Sequence, residues 1–156
     1  MDLNDTISLD ELQAQVGGEP RYSRWYVIDQ KRIDTFADVT EDWQYIHVDA
    51  ERAAQTPFGG TISHGFLTLS LLSAMSYETE KPLNGTAMGI NYGFNKVRFV
   101  SPVKVGSKVR AKFVTRSVDQ KTENSVLITR AVTVEIEDEP RPALKAEWLG
   151  YTVLEK

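Results

Sequence analysis

The chain has 156 residues, 41% of them hydrophobic and 26% charged, with a formal net charge of −4. That length holds one domain with a real core and is short for two; the negative balance argues against a nucleic-acid partner, and no apolar run approaches the roughly 20 residues of a membrane span. Cysteine is absent, which removes disulfides, thiol nucleophiles and thiolate metal sites together.

The first ten residues, MDLNDTISLD, are acidic and lack the basic-then-apolar order of a signal peptide, so the cytoplasm is the expected compartment. Residues 1–20 read as a capping segment: Ser8 and Glu11 stand at capping-box spacing, predicting a short helix to about Val16, with Gly17 and Gly18 ending it. Residues 21–28 are aromatic and β-branched and predict a strand, after which Asp29 is placed to cap a helix. In that helix Ile33, Phe36 and Ala37 share one face, and Lys31, Arg32, Asp34 and Thr35 look outward.

Residues 42–73 hold both histidines of the chain. Asp42 and His47 are five positions apart, about 140° out of alignment on a continuous helix, so they converge only where the chain bends. A short helix capped by Asp49 follows, and Pro57-Phe58-Gly59-Gly60 breaks it. From Gly65 to about Tyr77 the sequence is apolar on nearly every side, interrupted only by Thr68, Ser70, Ser73 and Ser76; the expectation is a helix buried all round. Beyond residue 85 the period changes to two. Residues 91–100, 108–116, 125–136 and 143–154 read as strands, with turns at 101–102, 105–107, 119–121 and 138–140, and consecutive strands are expected to pair antiparallel. A buried helix followed by such a meander predicts one α+β domain, residues 1–156, in which the sheet wraps the helix. One helix leaves sheet surface uncovered, so a homodimer is expected. Lys96, Arg98, Lys104, Lys108 and Arg110 form a basic strip whose simplest reading is solvent-facing strand residues.

Residues 42–49, DWQYIHVD, followed by Ile62-Ser63-His64-Gly65-Phe66-Leu67 and Ser73, resemble the hydratase-2 motif of the MaoC-like, (R)-specific enoyl-CoA hydratases. Asn91-Tyr92-Gly93, Lys96-Val97-Arg98-Phe99 and residues 102–106 are similar to the NodN-like branch of that family. Two motifs in the right order and distance make a stronger signal than either alone. The resemblance implies a hot-dog fold, usually dimeric, acting on an acyl-CoA thioester. One position departs from the pattern: where many members have Asn-Pro after the aspartate, this chain has Gln44-Tyr45, whose amide stands on a longer stem.

Hydration of a 2-enoyl thioester needs water deprotonated for attack at C3, a proton delivered to C2, and the negative charge on the thioester oxygen held. The resemblance assigns Asp42 and His47 to the shared water, with either able to act as base, and the Gly65 N–H at a helix start to the oxyanion. Gln44 and Ser73 are supporting residues by the same resemblance. Partial burial between Trp43, Tyr45 and Phe58 would raise the pKa of Asp42 and lower that of His47. His64 is expected to be structural. Two histidines without a third convergent ligand make a poor metal site, and no cofactor is expected. The rivals are a hot-dog thioesterase, disfavoured because no acid occurs from Thr61 to Tyr77, and a binding protein that kept the fold without the chemistry.

Overall fold

The computed structural model describes residues 5–155; residues 1–4 of the expected capping segment, and residue 156 at the end of the expected domain, lie outside the described residues. The capping box forms as read. Ser8 accepts from the Glu11 N–H at 3.2 Å and Glu11 accepts from the Ser8 N–H at 2.7 Å, starting α1 (Leu9–Ala14). The strand expected over 21–28 is two short ones, β1 (Arg21–Tyr22) and β2 (Tyr26–Val27), both paired with the same long strand. Between them the Ser23 hydroxyl takes the Ala111 N–H at 3.0 Å, so a side chain fills one ladder position. Asp29 then caps α2 (Gln30–Thr40), in which Ile33 and Ala37 are wholly buried.

After the single turn α3 (Tyr45–Val48) and α4 (Ala50–Ala54), capped by Asp49, the chain turns at Gly59. Its φ of +71° is a conformation glycine adopts without cost. The central helix consists of α5 (Gly65–Ser70) and α6 (Leu72–Tyr77), meeting at Leu71. The bonds Leu71 N–H to Leu67 C=O (3.2 Å) and Met75 N–H to Leu71 C=O (3.0 Å) carry the helical backbone through the junction. Leu67, Leu72 and Met75 are buried, but Phe66 and Tyr77 are 65% and 61% exposed, and Ser70 and Ala74 lie on the same open side. The expectation of burial all round is therefore corrected: in the single chain one stripe of the helix is uncovered.

Four long strands follow: β3 (Thr86–Phe99), β4 (Lys108–Thr122), β5 (Ser125–Ile136) and β6 (Leu144–Leu154). All pair antiparallel in the order β1-β4-β5-β6-β3, with β2 also on β4. Two readings change. The turn expected at 119–121 is strand, because β4 runs on to Thr122 and turns at 123–124. More importantly, β3 and β4 are not neighbours: β3 crosses to the far edge and pairs with β6. The segment between them is instead tied to the loop before the central helix, through Ser63 N–H to Val103 C=O (2.7 Å) and Val105 N–H to Thr61 C=O (3.0 Å). The main core lies between helix and sheet, where Ile33, Leu67, Leu72 and Met75 meet Val109, Phe113, Val134 and Leu144. A smaller cluster of Ile7, Leu12, Leu83, Val126 and Ile128 seals α1 onto the sheet.

Candidate active site

Asp42 and His47 are brought together by a reversal of the chain. At the end of α2, Glu41 takes the left-handed conformation (φ 59°), and the Asp42 N–H turns back to the Ala37 carbonyl at 3.1 Å. Two residues later α3 begins, with Gln44 at its N-cap position and His47 on its inner side. The bend that the five-residue spacing requires is thus a helix end followed by a fresh turn. A carboxylate oxygen of Asp42 and a ring nitrogen from each of His47 and His64 lie within 4.8 Å of one another.

The His47 ring is 7% exposed, and its Nδ1 lies 2.7 Å from the Ile62 carbonyl. A carbonyl only accepts, so Nδ1 carries the proton and a neutral His47 presents Nε2 as its lone-pair nitrogen. Burial holds the pKa of His47 below its ordinary 6.5; the Ile62 bond opposes that effect, neighbouring His64 adds to it, and Asp42 opposes it. Gln30 fixes the backbone around the ring. Its amide nitrogen donates to the His47 carbonyl at 2.8 Å, while its oxygen accepts from the Thr61 hydroxyl at 2.6 Å. Sequence reading passed over Gln30, since its partners lie 17 and 31 positions away.

His64, 2% exposed, stacks on His47 with ring centroids 3.8 Å apart, and its Nε2 donates to the Asp42 carbonyl at 3.0 Å. It ties the Asp42 backbone to the start of the central helix. Asp42 is thus a third ligand converging with the two histidines, which corrects the expectation that none would, and His64 Nδ1 is buried without a partner among the described residues. Asp42 itself is exposed, as is Trp43, whose indole N–H donates to Asp38 at 3.0 Å. The expected burial of Asp42 among aromatic rings is therefore corrected for the single chain: Tyr45 and Phe58 are only half-buried.

Gly65 opens α5, and among the described residues its N–H meets no acceptor. A Cβ at this position would stand 2.9–3.1 Å from the Phe99 ring. The missing side chain thus leaves room for the Phe99 ring in the single chain. Gln44 is exposed, with no side-chain hydrogen bond among the described residues. Ser73 lies eight residues along the helix from Gly65, about 12 Å of rise, and lines a separate cavity with Asn91 and Trp148. On the basic strip, Lys108 pairs with Glu137 and Arg110 with Glu135, both at 2.8 Å, while Lys96 and Lys104 have no acidic partner among the described residues.

A buried imidazole and a carboxylate at the open end of a helix, under a wrapping antiparallel sheet, define a candidate proton-transfer site on an α+β scaffold. Residues 11–136 match the family model described as MaoC like domain. The chain is 51% identical over 144 residues to a nodulation protein N of Rhizobium leguminosarum bv. viciae, covering 92% of this chain and 89% of that protein. It is 45% identical over 140 residues to the 3-hydroxyacyl-thioester dehydratase Z of Mycobacterium tuberculosis, covering 90% and 92%. Among solved structures, the R-hydratase PhaJ1 of Pseudomonas aeruginosa superposes with a TM-score of 0.67 at 26% identity, covering 89% of this chain and 82% of that one. The chain belongs to the MaoC-like family of hydratases and dehydratases, and its fold is the hot-dog fold. Among the described residues no helix is long and apolar enough to cross a membrane.

Proposed function

We propose that the protein adds water reversibly to trans-2-enoyl-CoA, giving the (R)-3-hydroxyacyl thioester, in the cytoplasm and without a metal or cofactor. The observation that carries this reading is the pairing of a neutral, buried His47, its Nε2 left free by the Nδ1–Ile62 bond, with a carboxylate close by. Two groups at that separation can hydrogen-bond one water between them. Asp42 accepts one proton of that water and His47 Nε2 the other. One of them removes the proton as oxygen bonds to C3, and a proton passes from the pair to C2.

Charge accumulates on the thioester oxygen in the transition state, and the Gly65 N–H, at the positive end of the helix, is its donor. Gln44 supports the water from the rim. Ser73 acts farther along the acyl chain or, from a second copy, on the water itself.

The test is loss of the conjugated enoyl-thioester absorbance on trans-2-enoyl-CoA, followed together with free thiol, for wild type, Asp42→Asn and His47→Gln. We expect absorbance loss without thiol release, an R-configured product, and a fall in kcat of about 10²- to 10⁴-fold in either variant. Thiol release would make the protein a thioesterase. Binding without turnover at any chain length would make it an acyl-thioester binding protein.

A further inference from the structure

The inner face of the sheet carries a polar row where the core would otherwise be apolar. In register, Thr115 of β4 faces Arg130 of β5, and Arg130 faces Trp148 of β6. Arg21 of β1 joins one end through its bond to the Thr115 hydroxyl at 3.0 Å, and Asn91 of β3 joins the other by accepting the Trp148 indole N–H at 2.6 Å. Glu80, just past the central helix, drops onto this row and takes Arg130 Nε at 2.5 Å and Arg21 Nη2 at 3.3 Å on the same oxygen. The row borders a cavity of about 790 Å³ between the helix and β3, with Ser73 and Ser76 on the helix side.

The charges in this cluster do not balance. Two guanidinium groups share one carboxylate, with side chains 12% exposed for Arg130 and 14% for Glu80. Elsewhere on the cavity wall Lys81 is paired with Asp5 at 2.6 Å, and Glu155 is exposed. Arg21 spends its Nη donors on Gln15, Thr115 and Glu80. Arg130 donates only through Nε; among the described residues neither of its Nη groups meets an acceptor. Gly150 makes room for them, since a Cβ there would stand 2.8 Å from Arg130 Nη1. Among the described residues the nitrogen of this cluster that is buried without a partner is Arg21 Nε, whereas the Arg130 Nη groups keep contact with solvent at the cavity wall, where an anion can replace water beside the surplus positive charge. The paired Nη groups match a carboxylate in geometry as well as charge.

We propose that this cavity binds the carboxylate at the far end of an acyl chain, so that the preferred substrates are thioesters of dicarboxylic acids. The proposal rests on the hydratase reading for the position of the thioester end. With the carbonyl at Gly65, the chain would follow the open stripe of the central helix to Ser73, about 12 Å on, and there enter the cavity that Arg130 lines.

The experiment compares kcat/KM for the C1 CoA monothioester of trans-2-decenedioic acid with that for trans-2-decenoyl-CoA, in wild type, Arg130→Gln and Gly150→Ala. Gly150→Ala keeps the charge and displaces the guanidinium. We expect the wild type to prefer the acid-ended chain by tenfold or more, the range of a charge-assisted hydrogen bond, and both variants to lose at least tenfold of that ratio. Equal rates on the two substrates in wild type would overturn the proposal and leave the hydratase reading standing. If neither substrate is hydrated, melting temperature with sebacate against decanoate decides. A rise specific to sebacate and lost in Arg130→Gln keeps the anion site without the enzyme, and no such rise removes both.

Discussion

His47 illustrates how much one side chain inherits from its surroundings. Because burial lowers its pKa in the folded protein, the unfolded chain takes up the proton first as pH falls. Folding stability from this group is therefore present above its ordinary value of 6.5 and is lost as pH drops below it toward the depressed folded value. Chemical denaturation at a series of pH values from 7.5 down to 5 should show the loss in wild type and a shallower one, by up to one proton, in His47→Gln. Gly65 is constrained from a different direction. Gly65→Ala drives a methyl into the Phe99 ring, and overpacking of this kind costs about 1–3 kcal/mol. Adding Phe99→Leu should return most of that loss in a denaturant titration. Failure of the second change to help would mean that the helix start itself, and not the ring, demands glycine.

At the scale of elements, the capping box of α1 and the Gln30 bridge are local devices with separable effects. Ser8→Ala removes one cap and should lower stability by about 1 kcal/mol without touching turnover, read from paired melting and rate measurements. Gln30→Ala unties α3 from Thr61 and should lower kcat through a misplaced His47. Because the effect is positional, Gln30→Glu, which keeps an acceptor for Thr61, should recover part of it. Both caps were legible in the sequence, since Ser8 with Glu11 and Asp29 with Arg32 bond within three residues. The Gln30 bridge was not, because nothing local distinguishes Gln30 from any polar residue of a first helical turn.

For the molecule as a whole, the uncovered surface is continuous. Residues 87–92 of β3 are exposed on both faces at the free edge of the sheet, with Met88, Ile90 and Tyr92 among them, and the helix stripe of Phe66 and Tyr77 is open as well. An apolar edge strand left bare invites pairing, and we propose that the homodimer expected from the sequence forms here, two β3 strands side by side. Light scattering should give twice the 17.6 kDa chain mass, falling to one chain in Ile90→Lys, with hydratase turnover falling along with it. A monomeric wild type with full activity would sink the dimer.

What the sequence determined by itself was whatever depends on neighbours in the chain: helix caps, the break at residues 57–60, the helix start at Gly65, the period-two strands, and the two motifs that mark the family. Tertiary structure alone decided what depends on distant partners. It put β3 at the far edge beside β6, because backbone pairing is indifferent to sequence distance and the loop after β3 is held by the segment before the central helix. It left Asp42 open and His47 closed, although they lie five residues apart, because one follows a helix end and the other turns inward against Ile62. And it gathered Arg21, Glu80 and Arg130 from two strands and the loop after the central helix onto one wall, a juxtaposition invisible in a sequence where each reads as an ordinary surface charge.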